Sequence, residues 1–272
     1  MKMLLKDGKK KVLTLSYDDA VIQDKRLVEI LDKNGLKCTF NVNTGLYRGE
    51  NGNEIGRRMT REDAIRLFAN TSHEVAVHSY SHPRLENISM PEMVNEIVRD
   101  REEIEKDFGV ITRGMAYPFG TYDENVKQVL SACGIVYSRT VKSTKSFNFP
   151  SNWLEWHPTC HHKLENLFEL LNKFLEPAPS WRDSQLFYLW GHSYEFDDDN
   201  NWDVIEKFAE EAGGHDYVWY ATNIEIYDYV TAYRRLEISF DGKMIHNPSA
   251  VDVWVEVQGN EICIKADETV RI

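Results

Sequence analysis

The sequence predicts an α/β fold in which parallel strands alternate with helices and the sheet closes, or nearly closes, into a barrel. Three observations carry this. Short β-branched or aromatic runs alternate with helical patterns seven times before residue 237. That stretch of about 230 residues falls in the size range of such barrels, about 200 to 400. Beyond it the period changes from 3.6 to two, as an antiparallel β appendage requires. A doubly wound open sheet has the same periodicity and stays open as the alternative.

The elements follow in order. Residues 11–17 (KVLTLSY) predict a first strand, and 24–34 a helix with Leu27, Ile30 and Leu31 inward and Gly35 as its stop. Residues 37–42 and 73–77 predict the next two strands. Thr60-Arg61-Glu62-Asp63 and Ser89-Met90-Pro91-Glu92 are capping signals that open helices, the second running with Val94, Ile97, Val98, Ile104 and Phe108 to Gly109. Further strands are expected near 112–117, 135–141, 185–190 and 216–220. Helices are expected at 123–133, 163–175, 202–212 and 222–236. Residues 237–240, 250–257 and 261–265 alternate in period two, with turn signals at Asp241-Gly242 and Gly259-Asn260. The expected division is a barrel over 1–236 and a small β appendage over 237–272.

Composition narrows the function. The chain has 272 residues, 44 acidic and 32 basic side chains, and a net charge of -12. An acidic surface argues against nucleic acid, whose phosphates need clustered Lys and Arg. No apolar run approaches the roughly 18 residues that span a bilayer, so no membrane partner is expected. No signal peptide is visible, and Cys38, Cys133, Cys160 and Cys263 lie far apart without a CxxC pair; both fit a cytoplasmic, reducing setting.

Four strand ends carry chemistry. Asp18-Asp19 leaves the first strand, and adjacent carboxylates there point in different directions, so one can bind a cation while the other acts as a base. Alone, the pair is more often a solvated turn. His78-Ser79-Tyr80-Ser81-His82 leaves the third strand, and two His four apart can share an ion. With Asp19 they make a two-imidazole, one-carboxylate set suited to one divalent metal, Zn first, with Co, Ni or Fe as alternatives. Ala116-Tyr117-Pro118-Phe119-Gly120 ends the fourth strand, where a turn can aim a backbone N–H at an oxyanion, although alone it is more often a plain turn. Trp190-Gly191-His192 ends the sixth, where His192 can act as a general acid.

Taken in order, these motifs resemble the polysaccharide deacetylase family, carbohydrate esterase family four, with its nodulation-protein-B homology domain. Leu15-Ser16-Tyr17-Asp18-Asp19 stands for its T-F-D-D, His78 to His82 matches H-[ST]-x-x-H in full, Ala116-Tyr117-Pro118-Phe119-Gly120 degrades R-P-P-Y-G, and Trp190-Gly191-His192 stands for L-x-H. The resemblance implies a distorted (β/α) barrel of about seven parallel strands and metal-dependent hydrolysis of an N-acetyl group on a sugar or oligosaccharide, releasing acetate. It places the metal on Asp19, His78 and His82 and makes Asp18 the base. The Phe119 N–H becomes the oxyanion donor, His192 the acid that protonates the departing amine, and Trp190 a wall of the acetyl pocket.

Two departures follow. The family's motif-three Arg, partner of the base, falls on Ala116, so Arg113 or Arg139 must reach Asp18 from elsewhere, and Arg139 is the choice. The fourth motif, D-x-x-D-W, has no match; in its place stands a loop with Trp153, Trp156, His157, His161 and His162, from which one residue is expected to orient His192 or contact substrate. Tyr47, Tyr122, Trp153 and Trp156 are candidates for stacking on sugar rings, though aromatics equally furnish a core. The alternatives are hydrolysis of a non-polymer amide or imide and a carbohydrate-binding protein that has lost catalysis. A non-haem iron oxygenase shares the ligand composition but not Asp18.

Overall fold

A computed structural model describes residues 1–69, 71–177 and 183–272. Its main sheet is built on β2 (Lys11–Asp18), which follows a two-residue β1 (Lys2–Met3). The other strands are β3 (Cys38–Val42), β4 (Glu74–Val77), β5 (Gly114–Ala116), β6 (Tyr137–Arg139), β7 (Cys160–His161), β8 (Gln185–Gly191) and β9 (Val218–Tyr220). Their order is β6-β5-β4-β3-β2-β8-β7, every pairing parallel, with β9 also on β2. Between them run α1 (Asp24–Lys33), α2 (Arg61–Phe68), α3 (Met90–Phe108), α4 (Glu124–Ala132), α5 (Leu167–Leu175), α6 (Tyr194–Asp198), α7 (Trp202–Ala212) and α8 (Asn223–Arg234).

β2 is buried along its whole length, as a central strand covered on both faces must be. Leu13, Leu15 and Tyr17 pack with Leu27 and Leu31 of α1 and Ile205 and Phe208 of α7. The alternate residues face the barrel interior. There Thr14 bonds Asn223, Ser16 accepts from Asn41, and Asp18 accepts from Asn41. The interior is therefore polar toward the C-terminal end of β2, where Asp18 sits.

The open sheet is excluded by how its edges meet. Trp156 donates its N–H to Ser138 O and accepts from Thr140 N, both at 3.0 Å, while Cys160 and His161 pair with β8. One stretch, 156–161, thus links β6 to β8 and curls the sheet into a distorted barrel. Trp156 is 1% exposed, its ring edge-on to Tyr137, Trp153 and Tyr188. The expectation that Trp156 contacts substrate is corrected here: the indole is enclosed where the barrel closes. Tyr47, 1% exposed beneath Arg61, is likewise unavailable for stacking.

The expected appendage is two three-stranded antiparallel sheets. One joins β1 to β12 (Val253–Val257) and β13 (Asn260–Ile264); the other joins β10 (Glu237–Ile238), β11 (Met244–His246) and β14 (Thr269–Arg271). The N-terminal strand therefore belongs to the appendage sheet, a pairing invisible to local periodicity. The Tyr229 hydroxyl of α8 ties the parts together, donating to Leu4 O at 2.8 Å and accepting from Trp254 N at 3.0 Å. The strands expected at 112–117 and 135–141 shorten to three residues each, and the helix expected from 163 begins at Leu167. α6, five residues long, is too short to show a period.

Replacing Trp156 by Ala removes the residue on which the barrel closes. Denaturant unfolding is expected to show a loss of about 3–5 kcal/mol, the range for a fully buried Trp.

Candidate active site

The four motif-bearing strand ends meet at the C-terminal rim of the barrel. Period-two alternation alone sends Asp18 and Asp19 to opposite faces. The chain then leaves the strand with φ +89° at Asp19 and +49° at Ala20, which re-aims Asp19. Ser79, His82 and Phe119 also have positive φ, at +62°, +57° and +58°. Non-glycine residues in this region cost energy and gather where geometry is over-determined by function.

Asp19, His78 and His82 form one cluster. The Asp19 Oδ1 lies 4.0 Å from Nε2 of His78 and 4.0 Å from Nε2 of His82. Those spans do not exceed twice a metal–ligand bond of about 2.0–2.2 Å, so the donors can reach a shared cation. His78 donates Nδ1–H to Ala116 O at 2.8 Å, which leaves the Nε2 lone pair facing the cluster. Burial lowers both imidazoles, His82 to about 4, keeping them neutral as ligands must be.

Asp100 holds this arrangement from α3. It accepts from the His78 backbone N–H at 3.0 Å, and from Thr44 N at 2.8 Å and Thr44 Oγ1 at 2.7 Å. Sequence reading missed it, yet a signal exists: Met93, Ile97, Asp100 and Ile104 are the buried stripe of α3, and one acid in an apolar stripe needs partners. Arg58 was missed as well. It donates Nη2–H to Asp19 Oδ1 at 2.9 Å and bonds Asn43, whose amide holds the carbonyls of His78 and Ser79.

Asp18 borders this cluster, its Oδ2 3.9 Å from His78 Nε2, but has a cation of its own. Burial would raise its pKa, but the Arg139 guanidinium, then His78 and His192, outweigh that and hold it at about 2. Arg139 is 1% exposed, ion-paired to Asp18 and stacked 4.4 Å over Trp190. In the β5–β6 register Ala116 stands directly beside Arg139, so the cation absent from position 116 comes from the next strand. Arg113 pairs with Asp228 instead, at 2.7 Å.

His192 completes the rim, with Nε2 3.9 Å from Asp18 and Nδ1 3.3 Å from Glu195. Burial would lower its pKa, but Glu195, Asp18 and Asp19 together raise it. Two neutral imidazoles and one favoured as imidazolium thus stand around two carboxylates. Glu195 was missed in sequence, though His-x-x-Glu at a helix start was available as a signal. None of 153, 156, 157, 161 or 162 touches His192 through a hydrogen bond; His161 and His162 reach Glu195 instead.

The remaining candidates lie around this centre. The Phe119 ring stands edge-on to His82 at 4.6 Å with Arg84 over it. Tyr122 stacks on Tyr117, Trp153 packs on Trp156 and Tyr227, and His157 bonds Thr140. A cavity of about 720 Å³ lined by Lys10, Lys11 and Tyr217 is at the opposite end of β2 and lacks this chemistry.

Fold and site together define a (β/α)-barrel protein with a two-His, one-carboxylate cluster beside a second, separately held carboxylate. Residues 5–138, which carry the first three motifs, match the model of the polysaccharide deacetylase family, and over this span the chain is similar to it. Chitin deacetylase 1 of Cryptococcus neoformans is 25% identical over 153 residues, 54% of this chain and 30% of the relative. The chitin deacetylase of Colletotrichum lindemuthianum is 26% identical over 137 residues, 50% of this chain and 53% of the relative. The matches thus span about a third to a half of these relatives' length. A Mycobacterium smegmatis structure classed with polysaccharide deacetylases shares the fold, with a TM-score of 0.61 at 19% identity over 86% of this chain and 94% of that one.

Arg139→Ala leaves Asp18 buried without its cation. The expected result is a stability loss of about 3–5 kcal/mol in denaturant unfolding, as for other broken buried pairs, together with loss of turnover. Unchanged values for both would show that the pair carries nothing.

Proposed function

We propose that the protein is a metal-dependent hydrolase that removes N-acetyl groups from an N-acetylated sugar or oligosaccharide, releasing acetate and a free amine. The observation that carries this reading is the division of labour between adjacent carboxylates: Asp19 faces His78 and His82 together, while Asp18, which shares His78, is paired with Arg139 and faces His192. The named relatives, both chitin deacetylases, support the substrate class.

Asp19, His78 and His82 would hold one divalent ion, with zinc favoured by the imidazole-carboxylate donor set. When bound, such an ion supplies a Lewis acid that acidifies water toward a pKa of about 7 and polarises the acyl carbonyl. Asp18, ionised at neutral pH, accepts the proton of the attacking water. Arg139 keeps that carboxylate charged and fixed in place. The Phe119 N–H faces the developing oxyanion, and Trp190, resting on Arg139, walls the acyl methyl. His192, its Nδ1–H held by Glu195, gives its Nε2 proton to the departing nitrogen, so the amine leaves neutral. Tyr122 is assigned to the outer substrate surface.

Two outcomes test this. Zinc- or cobalt-loaded protein is expected to release acetate from N-acetylglucosamine oligomers, and Asp18→Asn to abolish release. Absence of acetate from every chain length, with one metal per chain confirmed, would point to a non-sugar amide or to binding alone. The pH profile has a defined sign: His192 works protonated and its pKa is raised. The alkaline limb of kcat/KM is therefore expected above the ordinary imidazole value of about 6.5, with activity lost as pH rises through it.

A further inference from the structure

On the far side of His192 from Asp18, four nitrogens crowd one oxygen of Glu195. They are His192 N at 3.1 Å, His192 Nδ1 at 3.3 Å, His161 Nε2 at 3.1 Å and His162 Nε2 at 3.3 Å. Lys163 Nζ takes the other oxygen at 3.2 Å. A carboxylate oxygen has about two acceptor positions, so four donors cannot all be served. His192 N and Nδ1 make hydrogen bonds to it, whereas His161 and His162 stand against it at ion-pair distance, and His162 Nε2, on a residue 2% exposed, has no well-formed hydrogen bond.

Such crowding has two physical readings. His161, His162 and Glu195 present ligand atoms within 4.8 Å of one another, which fits a second cation. The tautomer of His161 decides against it. Its Nδ1 accepts the Lys163 backbone N–H at 3.1 Å, so the neutral ring carries its proton on Nε2. The atom facing Glu195 is then a donor with no lone pair to give a metal, and the Lys163 ammonium beside Glu195 repels a cation further.

We propose that His161 is a positioning residue: its tautomer, set by the Lys163 N–H, makes it donate to Glu195, and Glu195 in turn holds the Nδ1–H of His192. The relay His161–Glu195–His192 fixes the ring so that Nε2 points toward Asp18 and the scissile bond. This rests on the reading of His192 as the acid. The groups facing His192 are Glu195 and Tyr194 of α6, Asp18 and Asp19 at the end of β2, Trp190 of β8, and His161 and His162 from the β7 stretch. Glu195 is held well below the usual carboxylate range; its burial opposes this and is outweighed by the His161, His162 and His192 imidazoles that face it. The arrangement stands where the resemblance in sequence left a motif unmatched.

The test uses zinc-loaded protein and the variants His161→Ala and His161→Gln, the latter keeping a side-chain N–H donor. NMR titration of the His192 ring is read first, because it needs no substrate. The His192 pKa is expected to shift by about half a unit or more in His161→Ala and to return in His161→Gln, with one zinc per chain in every form. With an active substrate, kcat is expected to fall about tenfold in the Ala variant at constant KM, part of the roughly 10²–10⁴ that a positioned acid contributes. An unmoved His192 titration in folded His161→Ala overturns the proposal, as does a second zinc in wild type that the variant loses. If the Ala variant does not fold, His161→Gln and His161→Asn are compared by the same titration, and His192 pKa values that do not differ overturn it. Failure of the acid assignment itself shows separately: His192→Gln would then keep full turnover.

Discussion

The buried pair of Asp18 and Arg139 is the constraint around which the site is arranged. A carboxylate with almost no solvent exposure needs a cation and hydrogen bonds, or it takes up a proton. Arg139 supplies the charge from β6, Asn41 supplies a hydrogen bond from β3, and Trp190 covers the guanidinium from β8. Three strands must therefore be in register before Asp18 can stay ionised. The barrel's closure through Trp156, hydrogen-bonded to the residues on either side of Arg139, is part of the same requirement.

That arrangement separates two carboxylates that are neighbours in sequence. Asp18 follows the strand's alternation into the interior, whereas Asp19 turns away through positive φ and meets Arg58, His78 and His82. Each has its own arginine. With the like charges separately compensated, both stay ionised instead of sharing a proton. The same logic sorts the histidines: burial favours neutral His78 and His82, while a ring of carboxylates favours the charged form of His192.

The support residues differ from the residues proposed to react in where they come from. Asp19, His78 and His192 lie directly beyond strand ends, Phe119 three residues beyond one, and His82 four residues past His78. Asp100, Arg58, Arg139 and Glu195 come from a helix interior, a loop, a strand and a helix start. The wall formed by His161 and His162 comes from the stretch that completes the barrel. The rim is thus held from several elements at once, the kind of support a preorganised site needs.

The sequence by itself determined the alternation of strands and helices, the β appendage, and the strand-end motifs, because periodicity and short motifs are local properties. It also narrowed the partner of Asp18 to two arginines. Only the tertiary structure decided between barrel and open sheet, since that depends on whether 156–161 bridges β6 and β8. It alone removed Trp156 and Tyr47 from the sugar-facing set, because local pattern does not say which side of a wall an aromatic ring takes. It alone brought in Asp100, Arg58 and Glu195, whose contacts, apart from the three-residue step to His192, join positions distant in the chain. Long-range register, set by packing, is what local pattern does not encode.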